Sequence, residues 1–138
     1  MADYVKPLPT VSADTKPFWD GCKAHELRLP RCTECDNLFY PPQGVCPQCL
    51  SSNLDWVKVS GTGIVYSISV VHQNSSPGFK EEGPYVLAYV TLDEGVLMLS
   101  NVIGVADPYD VTIGMPVEVM FEDATEAISI PKFRPASS

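Results

Sequence analysis

Long apolar runs are missing from this chain of 138 residues. Its uninterrupted apolar stretches are only a few residues long, whereas a membrane-spanning helix needs about 20. The first ten residues, MADYVKPLPT, contain no apolar segment of the kind found in a secretory signal. From these two absences we expect a cytoplasmic protein that does not span a membrane.

Positive charge is scarce over most of the chain. The net charge is −8, and the only cation between residues 61 and 130 is Lys80. The same stretch contains ten acidic residues: Glu81, Glu82, Asp93, Glu94, Asp107, Asp110, Glu118, Glu122, Asp123 and Glu126. Nucleic-acid binding draws much of its affinity from Lys and Arg contacts to phosphates. The charge balance therefore disfavours nucleic acid as a partner, although a local basic patch can exist on a chain of net negative charge.

Catalytic signatures are also few. The two histidines, His25 and His72, lie far apart in sequence, and neither forms a recognisable local motif with a cysteine or serine. His72 follows a predicted strand and opens a long loop, a position that suits an active site, but a surface histidine is the simpler interpretation. The chain has no Walker loop and no GxGxxG motif. Gly61-Thr62-Gly63 is too short to hold a phosphate and is better interpreted as a bulge entering a strand.

Cysteine, in contrast, is present in a clear pattern. Four of the five cysteines follow the spacing Cys-x2-Cys-x10-Cys-x2-Cys, and they are Cys32, Cys35, Cys46 and Cys49. Each CxxC pair forms a tight knuckle that directs two thiolates at one point. Two facing knuckles supply the tetrahedral sulfur set that Zn²⁺ accepts at about 2.3 Å, with no open coordination position. The spacing predicts a structural zinc site, with iron in a rubredoxin-like site as the main alternative.

Three further residues qualify this prediction. The position after each knuckle is often Gly, because the backbone there favours positive φ. Here these positions hold Asp36, which tolerates that conformation, and Leu50, which tolerates it poorly. We therefore expect the second knuckle to differ in shape. The fifth cysteine, Cys22, lies outside the pattern, and a buried structural cysteine is favoured over a reactive thiol.

The chain divides by pattern into three parts. Residues 1–14 are Pro-rich and predict a flexible arm. Residues 15–56 predict an N-terminal helix and the zinc ribbon, and residues 57–138 predict an OB-fold domain with a C-terminal tail. In the second part, apolar residues at helical spacing predict a helix over residues 15–29, and Leu38-Phe39-Tyr40 suits one strand of the ribbon.

A series of β-segments follows the ribbon. The predicted strands are residues 54–59, 64–72, 85–92, 96–104 and 113–122, with 128–135 as a last strand or an extended tail. Residues 73–84 predict a long loop, and Asp93-Glu94-Gly95 a hairpin turn. Strands of this number and spacing indicate a small barrel such as an OB-fold. The predicted fold class is mainly β: an N-terminal helix, a zinc ribbon and then a five-stranded OB-fold barrel.

Two segments with aromatic residues carry alternative interpretations. Phe18 and Trp19 on the predicted helix suit either the core or an exposed anchor for another protein, since aromatic residues are enriched at the centres of interfaces. In the tail, Lys132 and Arg134 flank Phe133. This arrangement suits a nucleotide phosphate beside a stacked ring, although a solvated tail is the simpler interpretation.

Taken in order, the motifs resemble one known family. They are FWDG, RCTEC, FYPPQGVCPQC, GTGIVYS, PYVLAYVTLDEG, IGMPVEV and PKFRP, and they cover about residues 15–135. The family consists of acyl-CoA-associated proteins that join a rubredoxin-like zinc ribbon to an OB-fold. The paired knuckles alone are generic, whereas their combination with the strand motifs is much more specific.

This resemblance implies a function beyond what the residues indicate. Members are companion subunits of thiolase-like enzymes, or of acyl-CoA hydratases and aldolases. It implies a zinc-binding accessory subunit of a thiolase-type complex in acyl-CoA degradation, whose partner supplies the catalytic cysteine and histidine. The ribbon and helix, with Phe18 and Trp19, would contact the partner in a hetero-oligomer. The OB-fold and the tail, with Lys132, Phe133 and Arg134, would form part of the acyl-CoA path.

Two other functions stay open at the level of sequence. A single-stranded nucleic-acid binding module would use Tyr66, Tyr85 and Tyr89 as stacking platforms, but it lacks the basic groove that such modules need. A self-sufficient small acyl-CoA enzyme would use His72 or Cys22.

Overall fold

The computed structural model describes residues 6–72, 78 and 83–136. In this part of the chain one helix precedes seven strands. They are α1 (Lys16–Lys23), β1 (Arg28–Cys32), β2 (Leu54–Lys58), β3 (Thr62–Val71), β4 (Tyr85–Leu92), β5 (Leu97–Val102), β6 (Pro116–Asp123) and β7 (Ser129–Pro135). A 3-10 turn at Pro108–Asp110 separates β5 from β6. The predicted mainly β fold class is confirmed, and no described helix is long and apolar enough to cross a bilayer.

Helix α1 is shorter than the predicted 15–29. The backbone N–H of Glu26 donates to the carbonyl of Gly21 over 2.8 Å, and that of His25 donates to Cys22 over 2.9 Å. These two bonds, with His25 at φ 59°, form a Schellman motif that ends the helix. The prediction was wrong for residues 24–29, because residues 24–27 form a turn and a connection and residues 28 and 29 lie in β1. The spacing of apolar residues along a helix does not show where a Schellman motif ends it.

The ribbon is built on an antiparallel pair of strands. β1 and β2 pair from Arg28 opposite Lys58 to Cys32 opposite Leu54. Arg31 donates two hydrogen bonds to the Asp55 carboxylate, at 2.8 and 3.2 Å, across this pair. The strand predicted at Leu38-Phe39-Tyr40 is reduced to an isolated bridge between Arg31 and Leu38.

The five remaining strands close into a barrel. Their order is β3-β4-β5-β7-β6, and β6 pairs back onto β3. Residues 128–135 therefore contribute a barrel strand rather than a solvated tail, since β7 pairs along its length with β6. A Cβ on Gly63 would lie 2.4 Å from the backbone oxygen of Thr91. Glycine at this position allows β3 to approach β4, which explains the GTG motif by packing and not by phosphate binding.

A single hydrophobic core joins the helix, the ribbon base and the barrel. Phe18 and Cys22 of α1 and Leu29 of β1 belong to the same buried cluster as Val65 and Phe133 of the barrel. The backbone N–H of Val59 also donates to the carbonyl of Leu27 over 2.9 Å. A second, small cluster consists of Cys32, Phe39 and Cys46. The distal half of the ribbon therefore has little apolar core of its own.

Two predicted segments lie partly outside the described residues. They are the first five residues of the arm predicted at 1–14, and most of the loop predicted at 73–84, of which Gly78, Gly83 and Pro84 are described. The domain division between residues 56 and 57 stays a prediction.

A polar contact ties the end of α1 to the end of β6 in the barrel. Nε2 of His25 lies 2.9 Å from Oδ1 of Asp123, and its ring stacks on Phe121 at 5.3 Å between centroids. The hydroxyl of Ser129, which is fully buried, donates to the same carboxylate. The hydrogen bond from His25, followed by that from Ser129, lowers the pKa of Asp123.

We expect the His25→Ala substitution to raise the pKa of Asp123 towards its ordinary value. A carboxyl whose folded pKa is lowered contributes stability above its unfolded pKa, and this contribution is lost as the pH falls through the folded value. The measurement is a carboxyl ¹³C NMR titration of both proteins between pH 2 and pH 6, a window set around the ordinary carboxyl value of about 4. The His72→Ala variant is the control and should leave Asp123 unchanged. An identical Asp123 titration in His25→Ala and wild type would refute the expectation.

Candidate metal centre

The two cysteine knuckles have the same backbone geometry. In the first, the N–H of Asp36 donates to the carbonyl of Cys32 over 2.9 Å. In the second, the N–H of Leu50 donates to the carbonyl of Cys46 over 2.8 Å. The residues after the knuckles have φ values of 62° at Asp36 and 64° at Leu50. The expectation of a differently shaped second knuckle is wrong, because Leu50 adopts the left-handed conformation despite its side chain.

The four sulfur atoms converge on one point. The Sγ atoms of Cys32, Cys35, Cys46 and Cys49 all lie within 4.8 Å of one another. Cys32 and Cys49 are 3.5 Å apart at Sγ, and Cys35 and Cys46 are 3.6 Å apart. A tetrahedron with metal–sulfur bonds of about 2.3 Å has edges of about 3.8 Å. The sulfur set therefore fits a tetrahedral zinc ion. Strand β1 carries Cys32 and so connects the four sulfurs to the rest of the fold.

The electrostatics of the thiols also favour a bound cation. Burial raises the pKa of Cys46, but the N–H groups of Cys49 and Gln48 and the amide of Asn37 outweigh it and lower the value to about 6. The N–H of Asn37 lowers the pKa of Cys35, but burial and the other three sulfurs raise it to about 12. The thiolate form of Cys46 is thus favoured, whereas Cys35 resists deprotonation because a second negative charge would lie beside the first. A divalent metal removes this repulsion, because it binds thiolates directly.

Leu50 is the strained position of this centre. Its side chain is 74% exposed, so it gains little from burial, while a left-handed backbone costs about 1–2 kcal/mol for an L-residue. We expect Leu50→Gly to raise the free energy of unfolding of the zinc-loaded protein by about 0.5–1 kcal/mol. Glycine relieves the backbone strain of the folded protein, but part of this stabilisation is lost because glycine has more conformational freedom in the unfolded chain. Urea denaturation at fixed zinc concentration measures the change.

Val45→Gly provides the matched control for this substitution. Val45 lies on the same loop and is also exposed, at 41%, but it is not among the described positive-φ positions. Glycine there should lower the free energy of unfolding, because it adds freedom to the unfolded chain without relieving strain. A loss of stability in both variants would show that Leu50 is not strained.

Cys22 is structural, as the sequence favoured. Its side chain has no exposed surface, and burial raises the pKa of its thiol to about 12. A thiol in this state is a poor nucleophile, because the thiolate is the reactive form.

The histidines are engaged by other polar groups. Nε2 of His72 lies 2.5 Å from the hydroxyl of Tyr109, and His25 contacts Asp123. His72 is exposed and sits just beyond β3. Among the described residues no hydrogen bond joins the side chain of either histidine to a cysteine side chain, so the sequence candidates His72 and Cys22 do not form a catalytic pair.

The two aromatic residues of α1 have different environments. Phe18 is 3% exposed and packs edge-on against Trp19, with 5.0 Å between ring centroids. Trp19 is partly buried on the edge of the core. Phe18 is therefore a core residue, and its ring is not accessible to a partner. Trp19 alone keeps the predicted partner-binding role as a proposal.

The three residues of the predicted CoA-binding tail do not form one platform. Phe133 is fully buried in the barrel core, so its ring cannot stack on a nucleotide base in this conformation. Nζ of Lys132 lies 3.0 Å from the Glu122 carboxylate, and its side chain is 9% exposed. Nε of Arg134 lies 3.1 Å from the Glu118 carboxylate and its side chain is 55% exposed.

Lys132 does line two neighbouring hollows that sequence reasoning missed. One, of about 190 Å³, lies against the ends of β4 and β5. The other, of about 360 Å³, lies between Trp19 and residues 6–9 of the arm. Lys6 and Asn101 line both hollows together with Lys132. No local motif marks these residues, because they come from the arm, β5 and β7.

Comparison with known proteins assigns this architecture to a family. The family model for the rubredoxin-like zinc ribbon domain of ChsH2 matches residues 19–55, and that for the C-terminal OB-fold domain of ChsH2 matches residues 56–122. The solved structure of an Ltp2-ChsH2(DUF35) aldolase superposes with a TM-score of 0.82 and 38% identity, covering 94% of this chain and 100% of that one. The chain belongs to the ChsH2/DUF35 family. The resemblance inferred from the sequence motifs is confirmed.

Two curated proteins illustrate the range of the ChsH2/DUF35 family. A DUF35 domain-containing scaffold protein of Methanothermobacter thermautotrophicus is 36% identical over 74% of this chain and 76% of its own length. A probable enoyl-CoA hydratase alpha subunit of Thermomonospora curvata is 39% identical over 96% of this chain. The chain spans only 40% of the length of that subunit.

Proposed function

We propose that this chain is a zinc-binding, non-catalytic subunit of an acyl-CoA enzyme complex. The observation that carries the proposal is the state of its reactive groups. Four cysteines converge on one point where they can hold a metal ion, the fifth is buried with a raised pKa, and His25 and His72 contact Asp123 and Tyr109. A closed tetrahedral site leaves no position for substrate. The zinc ion, when bound, supplies folding energy to the ribbon.

Relatives in the family support an accessory role. The protein from Methanothermobacter thermautotrophicus is described as a scaffold, and the protein from Thermomonospora curvata as the alpha subunit of a hydratase. The first description implies assembly without catalysis, and the second implies a further subunit. We propose the same division of labour here, with a hetero-oligomeric partner that supplies the catalytic groups.

The class of the catalytic partner has two candidates. The resemblance of the motifs implies a thiolase-like enzyme in acyl-CoA degradation. The names of the relatives, a probable enoyl-CoA hydratase alpha subunit and an Ltp2-ChsH2(DUF35) aldolase, favour a hydratase or an aldolase. We therefore place the hydratase or aldolase complex first, and we keep the thiolase-type complex as the second candidate. Both place this chain in the same accessory role.

The two hollows around Lys132 are the proposed part of the acyl-CoA path on this chain. Apolar walls from Leu8, Trp19 and Ile130 suit an acyl chain, and Lys6 and Lys132 are the two cations of the lining. The charge of Lys132 is already paired with Glu122, and Arg134 is paired with Glu118. We therefore assign most of the contacts to the CoA phosphates to the partner subunit.

Co-purification of the tagged chain from its own cells, under gentle conditions, tests the accessory role. We expect one acyl-CoA enzyme to co-elute at constant stoichiometry. Thiolase, hydratase and aldolase assays on that fraction, with CoA thioesters, then distinguish the candidate partners. The isolated chain should show no turnover in any of the three assays. Elution of the chain alone, or turnover by the isolated chain that His72→Ala abolishes, would overturn the proposal.

Nucleic-acid binding is disfavoured by the same charges. Among the described barrel residues the cations are Lys132 and Arg134, and each lies within 3.1 Å of a carboxylate. A groove for single-stranded nucleic acid needs cations along its length. We propose that the chain does not bind nucleic acid, and a titration with labelled single-stranded DNA at low salt should show no saturable shift.

A further inference from the structure

The outer surface of strands β3, β4 and β5 carries a largely apolar face. Its six large side chains, which define what we call the uncharged face, are Ile64, Tyr66, Leu87, Tyr89, Leu97 and Leu99, and each is between 37% and 61% exposed. Their inward-pointing neighbours, such as Val65, Val90 and Met98, fill the barrel core. Strand alternation thus places apolar side chains on both surfaces of this part of the sheet.

The strand register makes this face contiguous. Tyr89 lies opposite Leu99 on β5 and opposite Ser67, the neighbour of Tyr66, on β3. One step along, Thr91 lies opposite Leu97 and Ile64. Cross-strand neighbours of this kind are within contact distance. The side chains therefore form one patch, and a contiguous exposed apolar patch on a monomer is often functional.

Charge is absent from the three strands that form this face. β3, β4 and β5 contain no Asp, Glu, Lys or Arg, although the chain as a whole has a net charge of −8. An exposed sheet face normally carries polar side chains that keep it in water. Depletion of charge and enrichment in tyrosine characterise the centre of a protein–protein interface.

The border of the uncharged face indicates what kind of partner it fits. Exposed Asp93 and Glu94 lie at the turn that joins β4 to β5, beside Leu97. Each is oriented by a hydrogen bond from the start of the barrel, Asp93 by Thr62 and Glu94 by Ser60. A second copy of this chain would present the same acidic border and the same net negative charge. Self-association is therefore opposed by like charges, whereas a basic border on a different protein is favoured.

We propose that the uncharged face docks the enzyme subunit of the acyl-CoA complex, through an apolar, charge-poor patch on that subunit bordered by Lys or Arg groups facing Asp93 and Glu94. This inference rests on the proposed accessory function, and it adds the barrel to the surfaces on which that function depends. The ribbon and α1 then serve as a second contact region or as a spacer. The charge-poor, tyrosine-containing composition of the face suits the centre of a subunit contact.

The test uses two substitutions of the same chemistry at different places. Tyr66→Lys puts a charge in the uncharged face, and Tyr109→Lys makes the same change on an exposed tyrosine outside it, at the 3-10 turn. Both change the net charge equally, so a difference between them reports position. The probe is the partner subunit identified by co-purification with the wild-type chain, expressed separately and titrated against each variant by calorimetry.

We expect Tyr66→Lys to weaken binding at least 30-fold, roughly the effect of losing an interface hot spot, and Tyr109→Lys to change it less than about 3-fold. The wild-type affinity should also fall as salt is raised, because of the charged border.

Equal affinities for Tyr66→Lys, Tyr109→Lys and wild type would overturn the docking assignment while leaving the accessory function intact. If the wild-type chain retains no partner at all, the proposed function fails and this inference fails with it. A dimer of the isolated chain that Tyr66→Lys dissociates would make the occupant a second copy and would also overturn the proposal.

Discussion

Cys46→Ser should abolish stoichiometric zinc binding and unfold the distal half of the ribbon. Cys46 is a buried ligand candidate whose thiolate is stabilised by neighbouring N–H groups, which lower its pKa to about 6. A structural zinc site contributes about 10–16 kcal/mol of binding free energy that is coupled to folding. The small cluster of Cys32, Phe39 and Cys46 cannot replace that contribution. We therefore expect residues 32–54 to lose most of their ordered structure.

Elemental analysis and hydrogen exchange together measure this effect. Wild type should contain one zinc per chain, and Cys46→Ser should contain none and lose protection in residues 32–54, while β3 to β7 keep theirs. Cys22→Ala is the matched control, since it removes a buried cysteine outside the metal site and should retain one zinc. One zinc per chain in Cys46→Ser would contradict the assignment. Iron instead of zinc in protein from native cells would keep the site but change its metal.

Phe133→Ala is the second substitution for which we expect a large effect. The Phe133 ring is fully buried, and it belongs to the core that joins α1, β1 and the barrel. Removing a buried Phe costs about 3–5 kcal/mol through lost burial and the cavity that remains. We expect a loss of this size in the free energy of unfolding, measured by urea denaturation.

Tyr66→Ala is the control for this second substitution. Tyr66 is 61% exposed on β3, so its removal should change the free energy of unfolding by no more than about 0.5 kcal/mol in the isolated chain. A loss below about 1 kcal/mol for Phe133→Ala would show that the ring is not part of the core. It would also restore the interpretation of the tail as an exposed stacking platform.

If the docking proposal holds, the two surfaces of the barrel sheet have different roles. The inward side chains, such as Val90 and Met98, stabilise this chain, and the outward side chains, such as Tyr66 and Tyr89, stabilise the complex. Tyr66→Lys should then leave folding nearly unchanged while it reduces binding. Phe133→Ala should reduce both, because an unstable barrel cannot present a fixed face.

The metal site and the class of fold could be read from short stretches of sequence. The paired CxxC knuckles are local, and their geometry follows from the spacing alone. The strand at residues 85–92 matches β4 at both ends, because a short run of apolar, partly β-branched residues between clear turn signals defines a strand. The helix over 15–29 was overextended, because a Schellman motif at His25 depends on backbone hydrogen bonds that leave little trace in the sequence.

What the sequence determined by itself is therefore local chemistry: four thiols with metal-site spacing, an acidic series of β-segments with few cations and a scarcity of catalytic groups. What only the tertiary structure decided is the environment of each side chain. Phe133 follows a Lys and precedes an Arg, and nothing nearby in sequence shows that β5 and β6 enclose it. Lys132, Asn101 and Lys6 come together around the hollows for the same reason. Burial and the sides of a sheet depend on which distant strands pair, and that pairing is set by closure of the barrel.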